Sequence, residues 1–315
     1  MIRFLVKRFA MLAATLLVAS FAIYGALYLA PGSAISALTG GRTPSPEVLA
    51  HLKERYHLDD PFAVRYWDWL VAALHGDLGE SIPLHENVNT LIGERIGVTA
   101  GLVAMTSLLI VVAGVGLGVL GALRKGWVDN GVLLASTVSA ALPAFAAAVV
   151  LQFVVGVKLG WLPVLGTGDG FADSVKHLLM PALALAASSV ALVTRITRTS
   201  VLDELGKEHV QTALSRGLPY SVMIRRHVLR NAAIPITTVV GLTIASLIAL
   251  AAIVETAFGL NGLGAYLVQA AQNKDFAVVQ GISLVLVFAF VLTNALIDVV
   301  YALLDPRVSL GSRAR

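Results

Sequence analysis

The sequence predicts an all-α integral membrane protein with six transmembrane helices and both termini in the cytoplasm. Three observations carry this: long apolar runs, scarce charge, and a lopsided placement of the basic residues. Of 315 residues, 57% are hydrophobic and 13% charged, and mean hydropathy is +0.82. That usage is far from globular and makes lipid the solvent. A span needs about 20 apolar residues to cross a hydrocarbon core of about 30 Å. Runs at 9–30, 99–123, 132–157, 178–194, 234–254 and 281–304 meet the requirement. The fourth has the shortest apolar core and is interrupted by Ser188 and Ser189, small hydroxyls of the kind found where membrane helices pack closely.

Six spans put both termini on one face. Fifteen Lys and Arg fall on that face, at 3, 7, 8, 124, 125, within 195–230, and at 307, 313 and 315, against eight on the other. Because Lys and Arg flanking spans are retained in the cytoplasm, the termini and the polar segment 195–231 are assigned there. The net charge of +4 is then a topology signal. Its basic residues are split among membrane-flanking segments rather than gathered on one soluble face, so membrane lipid is the expected partner and nucleic acid is not.

Taken in order, the first run is longer than the roughly 7 to 15 apolar residues of a cleaved signal and is expected to be retained as a span. Segment 31–98 holds five basic residues against nine acidic ones and is expected as an outward-facing helical loop. Ser45, Pro46 and Glu47 suit a helix start, running to about residue 56. A second helix begins at Pro61, with Phe62, Tyr66, Trp69, Leu70 and Leu74 at helical spacing, and Gly76 stops it. Trp67 and Trp69 read as membrane-interface anchors rather than a ligand-stacking pair. The connection 160–176 is rich in Gly and Pro and expected to be irregular, and 255–280 reads as a turn followed by a short helix. The organisation is therefore 1–30 as an N-terminal transmembrane helix, 31–98 as the outward loop, 99–305 as a core of five spans, and 306–315 as a cytoplasmic tail. With no cysteine in the chain, disulfides and thiol chemistry are absent.

Few motifs suggest chemistry. Gly116, Gly118 and Gly121 have dinucleotide-loop spacing, but they lie inside an apolar run with no preceding strand. Gly114 and Gly118, four apart, instead let a neighbouring helix approach closely. No Gly-x-x-x-x-Gly-Lys-Ser/Thr loop is present, so no nucleotide cofactor is expected in this chain. The seven histidines, at 51, 57, 75, 85, 177, 209 and 227, include no His-Glu-x-x-His pair. No metal site is assigned, and His227 beside Arg226 reads as a surface contact. No Gly-x-Ser-x-Gly elbow occurs, so no catalytic residue is assigned and no enzyme is expected. Asp298 is the one acid well inside a run, and an intramembrane carboxylate marks a functional position by default. Against that, it stands about two turns from Pro306, from where it can reach the cytoplasmic interface or pair with Asn294 or an Arg of another helix. Glu255 closes the fifth run on the outer side, a candidate for the mouth of a path. Glu255, Asn294 and Asp298 form the set of path or helix-packing candidates.

The segment 195–231 is too ordered in its chemistry for a connector. Glu208-His209-Val210-Gln211-Thr212-Ala213 leads to Arg216-Gly217-Leu218, then to Arg225, Arg226, His227, Arg230 and Asn231 before Pro235. Gln211-Thr212-Ala213, three residues, then Gly217 resembles the cytoplasmic loop of inner-membrane permeases in ATP-binding-cassette importers, whose pattern is Glu-Ala-Ala, three residues, then Gly. Leu29-Ala30-Pro31-Gly32, Gly76-Asp77-Leu78-Gly79 and Leu159-Gly160-Trp161-Leu162-Pro163 are similar to the dipeptide, oligopeptide and nickel subgroup. So are Arg226 to Pro235, Val254-Glu255-Thr256, Gly262-Leu263-Gly264, Val278-Val279-Gln280-Gly281 and Leu304-Asp305-Pro306-Arg307. The resemblance covers nearly the whole chain. It departs at Gln211-Thr212, which replace Glu-Ala and leave Glu208 or Arg216 to supply any salt bridge, and at Ile96-Gly97-Val98-Thr99, which lacks a Pro before the second span.

The resemblance implies a short coupling helix across the membrane surface, seated in a cleft of an ATP-hydrolysing partner. Glu208, Gln211, Thr212, Ala213, Ser215, Arg216 and Gly217 would make up the contact, with Gly217 ending the helix. It implies a second homologous permease subunit, two ATP-binding-cassette subunits that bind ATP and Mg, and an extracytoplasmic substrate-binding protein. The expected location is the cytoplasmic membrane of a bacterium or archaeon. Dipeptides or oligopeptides are the expected substrate, with nickel or another small solute as the alternative in the same class. An ATP-independent secondary transporter is the alternative of another class. It would have no need of the docking loop and would show broken helices with charges at the midplane, which are not read from this sequence.

Overall fold

The computed structural model describes residues 2–29, 47 and 60–304. The helix expected over about 46–56 and the tail therefore lie outside the described residues, apart from Glu47. The helices are α1 (Ile2–Leu29), α2 (Phe62–Leu74), α3 (Val88–Leu123), α4 (Trp127–Ala141), α5 (Ala144–Lys158), α6 (Phe171–Leu205), α7 (Glu208–Ser215), α8 (Tyr220–Phe258), α9 (Leu263–Gln272) and α10 (Phe276–Leu304). Five of them, α1, α3, α6, α8 and α10, are long and apolar enough to cross a membrane, and α4 with α5 makes up to six if that bent pair is one span. Among the described residues the β structure is a two-stranded ribbon in which Glu80–Ser81 (β1) pairs antiparallel with Glu86–Asn87 (β2).

The run at 132–157 is not the single helix its hydropathy suggests. It breaks between α4 and α5 with a bend of 102°. Pro143 supplies no N–H and disfavours the helical region for the residue before it, and Leu142 is extended at φ −89, ψ 114. The run at 178–194, the shortest in apolar core, belongs to the 35-residue α6, the most deeply buried of the five long apolar helices. α6 is the axis of the bundle, contacting α3, α4, α5, α7 and α8. Its Val193, Thr194 and Thr197 meet the glycines of α3. A Cβ on Gly118 would sit 2.5 Å from Thr197 Cβ and 2.7 Å from the Thr194 carbonyl oxygen, which only a glycine permits.

Three buried clusters run along this axis. The central one joins Leu102 and Ile110 of α3, Met180 and Leu185 of α6, and Leu247 and Phe258 of α8. At one end, Val88, Leu91 and Ile92 of α3 pack with Leu263 and Tyr266 of α9 and with Val278 and Ile282 of α10. At the other, Ala122 of α3 and Val201 of α6 pack with Val210 and Ala213 of α7 and with Met223, Ile224, Val228 and Ile236 of α8. The short helices α7 and α9 thus cap opposite ends.

α2 follows the sequence reading closely: Pro61 precedes it, and Gly76 beyond it has φ +87. Its aromatic face lies on α1. Phe62 meets Phe21 edge-on at 5.6 Å, Trp69 tilts against Tyr24 at 5.8 Å, and the Tyr66 hydroxyl is 2.9 Å from Ser20 Oγ. Trp69 is thus a packing residue, whereas Trp67 remains 63% exposed.

Candidate functional site

The polar segment 195–231 becomes the end of α6, all of α7 and the start of α8. α7 is eight residues long and two-sided. Val210 and Ala213 point into the end cluster at 0% and 5% exposure, anchoring a helix too short to be stable alone. Glu208, Gln211, Thr212, Ser215, Arg216 and Gly217 are exposed. Among the described residues neither Glu208 nor Arg216 makes an ion pair, and both side chains are exposed.

The helix ends sharply. Gly217 takes φ +75, its N–H donates to the Leu214 carbonyl at 2.9 Å, and the Leu218 N–H donates to the Ala213 carbonyl at 3.3 Å. This paired closure satisfies the last carbonyls and needs a left-handed residue at 217, the conformation glycine adopts without penalty. Leu218 then packs on the same end cluster, so the exit of the chain is fixed as firmly as the helix.

The start of α7 is held by a residue that motif reasoning missed. Glu204, in the last turn of α6, is 4% exposed. Its carboxylate receives Lys207 Nζ at 2.5 Å, His209 Nε2 at 3.1 Å and Asn231 Nδ2 at 2.9 Å. The Glu204 to Lys207 spacing is legible as a helical i, i+3 pair, but Asn231 lies 27 residues away and gives no local signal. Beside this site Arg198 of α6 grips Asp129 of α4 in a two-pronged ion pair at 2.5 and 2.6 Å, and Arg195 Nη2 donates to Thr137 Oγ1 at 3.0 Å. This end of the bundle is thus tied by directional contacts across α4, α6, α7 and α8.

The other candidates lie elsewhere. Glu255 does not line an open mouth on this chain; it is 0% exposed. Its Oε1 accepts from Thr99 Oγ1 at 2.7 Å and its Oε2 from the Ala265 N–H at 2.9 Å, while Thr99 Oγ1 accepts the Leu263 N–H at 2.8 Å. The carboxylate from the end of α8 thus caps the N-terminus of α9, where a negative charge is favoured. A Cβ on Gly262 would collide with it. Asn294 is half-buried and donates to its own helix, at the Phe290 carbonyl, 2.9 Å. Asp298 lies on α10 near its end, with its side chain outside those described. Among the described residues no cluster of three or more His, Cys, Asp or Glu is placed to hold a metal ion.

The family described as binding-protein-dependent transport system inner membrane component matches residues 114–310, and the N-terminal region of such membrane components matches residues 1–103. The chain belongs to this family. As an inner membrane component it is similar at full length to a probable peptide ABC transporter permease protein of Sinorhizobium fredii, 31% identical with 97% of this chain and 98% of that one covered. It is likewise similar to a glutathione transport system permease protein of Salmonella choleraesuis, 31% identical with 98% and 99% covered, and to a putative peptide transport system permease protein of Brucella abortus, 33% identical with 96% and 98% covered. Among solved structures, an inward-facing MetNI methionine ABC transporter chain matches with a TM-score of 0.54 at 16% identity, over 68% of this inner membrane component and 96% of that chain. That likeness speaks to the fold. The segment 195–231 falls inside the family match.

Proposed function

We propose that this inner membrane component forms half of the translocation path of an ATP-driven importer for dipeptides or oligopeptides. Its segment 195–231 lies in the cytoplasm, where α7 seats in an ATP-hydrolysing partner. The observation that carries the reading is the build of α7: two buried apolar residues beneath, six exposed residues above, a glycine-closed end, and fixed attachment to α6 and α8. Nucleotide-driven motion reaches spans only through differential contacts in the two states, and a surface helix tied to two long spans supplies the lever. The peptide class rests on the full-length relatives, two of which are named for peptides.

The assembly this implies has a second homologous permease subunit, two ATP-binding-cassette subunits holding ATP and Mg, and an extracytoplasmic binding protein. All six spans, counting α4 and α5 as one, lie in the cytoplasmic membrane of a bacterium or archaeon, with both termini inside. No catalytic chemistry is assigned to this chain. Asn294 and Asp298 on α10 remain candidates for path or packing. The secondary-transporter reading draws on one observation, the break between α4 and α5, since broken helices build transporter sites; but residues 139–146 at that break carry no charge.

Proteoliposomes holding the full assembly decide among these readings. Peptide uptake that requires both the binding protein and ATP supports the proposal. Uptake of nickel but not peptides would select the alternative solute, and uptake by this chain without ATP-hydrolysing subunits would overturn it.

A further inference from the structure

We propose that Glu204 is the positioning residue that sets the angle of α7 on the bundle, and so governs how well nucleotide-driven motion passes between the partner and the spans. The inference rests on the importer reading of α7. Between the end of α6 and the start of α7 lie only Gly206 and Lys207, so four soft backbone dihedrals separate a 35-residue span from the helix it must follow. Apolar contacts of Val210 and Ala213 hold α7 down, but burial is non-directional and lets a short helix pivot. Hydrogen bonds and ion pairs do have direction.

Glu204 provides that direction to three elements at once. It ends α6. It receives Lys207, which flanks α7 and makes no side-chain cap bond there, and His209, in its first turn, at 2.5 and 3.1 Å. It also receives Asn231 of α8 at 2.9 Å, four residues before Pro235 of the same helix. A carboxylate buried to this degree is costly unless fully paired, and here donors from outside its own helix supply the pairing. Rotation of α7 about the Gly206–Lys207 link would pull Lys207 and His209 away and leave that carboxylate buried with fewer partners. The clamp therefore penalises pivoting while leaving joint movement of α6, α7 and α8 free. It acts at the start of α7, and the Gly217 closure acts at its end.

The test uses the complete importer in proteoliposomes and reads the stimulation of ATP hydrolysis by the purified binding protein, a ratio that cancels differences in assembly. In Glu204→Ala this ratio is expected to fall by about fivefold or more, the lower end of typical coupling factors, with complex yield and unstimulated hydrolysis retained. Glu204→Gln, which keeps an acceptor for Asn231, should fall between the two. Should Glu204→Ala fail to assemble, Lys207→Gln and His209→Gln decide the matter, because their side chains are 57% and 43% exposed and tolerate change; each is expected to lower the ratio in the same direction. A ratio unchanged within about twofold in both, or a loss of yield and unstimulated hydrolysis in parallel with a constant ratio, overturns the inference. Absence of an ATP-hydrolysing subunit from the wild-type complex would instead sink the importer reading on which it rests.

Discussion

Replacing Gly118 with alanine adds one methyl where α3 and α6 touch. The new Cβ would lie 2.5 Å from Thr197 Cβ and 2.7 Å from the Thr194 carbonyl oxygen. Carbon atoms settle at about 3.5 to 4.0 Å, so the helices must separate by roughly 1 Å. Neither obstacle is the end of a flexible chain; one is backbone and the other a β-branched carbon, so the strain cannot be relieved by a rotamer change. Overpacking of this kind costs about 1–3 kcal/mol, and here it would also disturb the contact between Gly114 and Val193 one turn away. Gly116 is the internal control. A Cβ there meets nothing within 4 Å, and alanine is favoured over glycine in a helix interior by about 1 kcal/mol. Gly116→Ala should thus match or exceed wild-type stability while Gly118→Ala falls below it. Denaturant unfolding in one detergent, with both variants beside wild type, reads the difference. Equal stability of the two variants would refute the close approach of α3 and α6.

Other outcomes follow from the same geometry. Gly217→Val should leave folding nearly intact, because open space surrounds the position, at a cost of roughly 1–2 kcal/mol for a left-handed residue; uptake should nevertheless be lost, and wild-type uptake at normal expression would count against the closure of α7. Gln272→Cys should react with an impermeant thiol reagent in intact cells and Ser215→Cys should not, with the reverse pattern inverting the topology. Burial pushes the Asp275 carboxyl above its ordinary 3.8, against the opposing pull of its hydrogen bonds from Ser81 and the Val278 N–H. Because the folded value is the higher one, the stabilising contribution is present below 3.8 and fades as pH rises through the folded value. Asp275→Asn should flatten that pH dependence of unfolding, and an unchanged slope would show that the carboxyl is not desolvated.

Where local chemistry decides, the sequence was readable. Pro61 and Gly76 bound α2, and the spacing of Ala213 and Gly217 marks the closed end of α7, because caps and left-handed turns depend on residues close in sequence. Hydropathy was misleading at 132–157, where the apolar sum concealed what Pro143 does to the backbone. It also undervalued α6, whose small and hydroxyl residues lower the apolar sum yet suit a helix surrounded by others. Tertiary partnerships were invisible: Glu255 resembles a mouth residue until Thr99, 156 positions away, donates to it, and Glu204 gives no local sign of its burial because Asn231, which donates to it, lies 27 positions away. Trp69 reads as an interface anchor from its sequence alone, but Tyr24 and Tyr66 claim its ring.

The central claim, that α7 is the surface held by an ATP-hydrolysing subunit, is tested most directly by a cysteine crosslinking scan across 208–217 in membranes containing the active assembly. The chain has no native cysteine, so each position reports alone. Crosslinks to the ATP-hydrolysing subunit should form from the exposed positions 208, 211, 212, 215 and 216, change in yield with ATP, and be absent from the buried positions 210 and 213. A scan with no such crosslink anywhere in 208–217, while that subunit is present and hydrolysing ATP, would contradict the account.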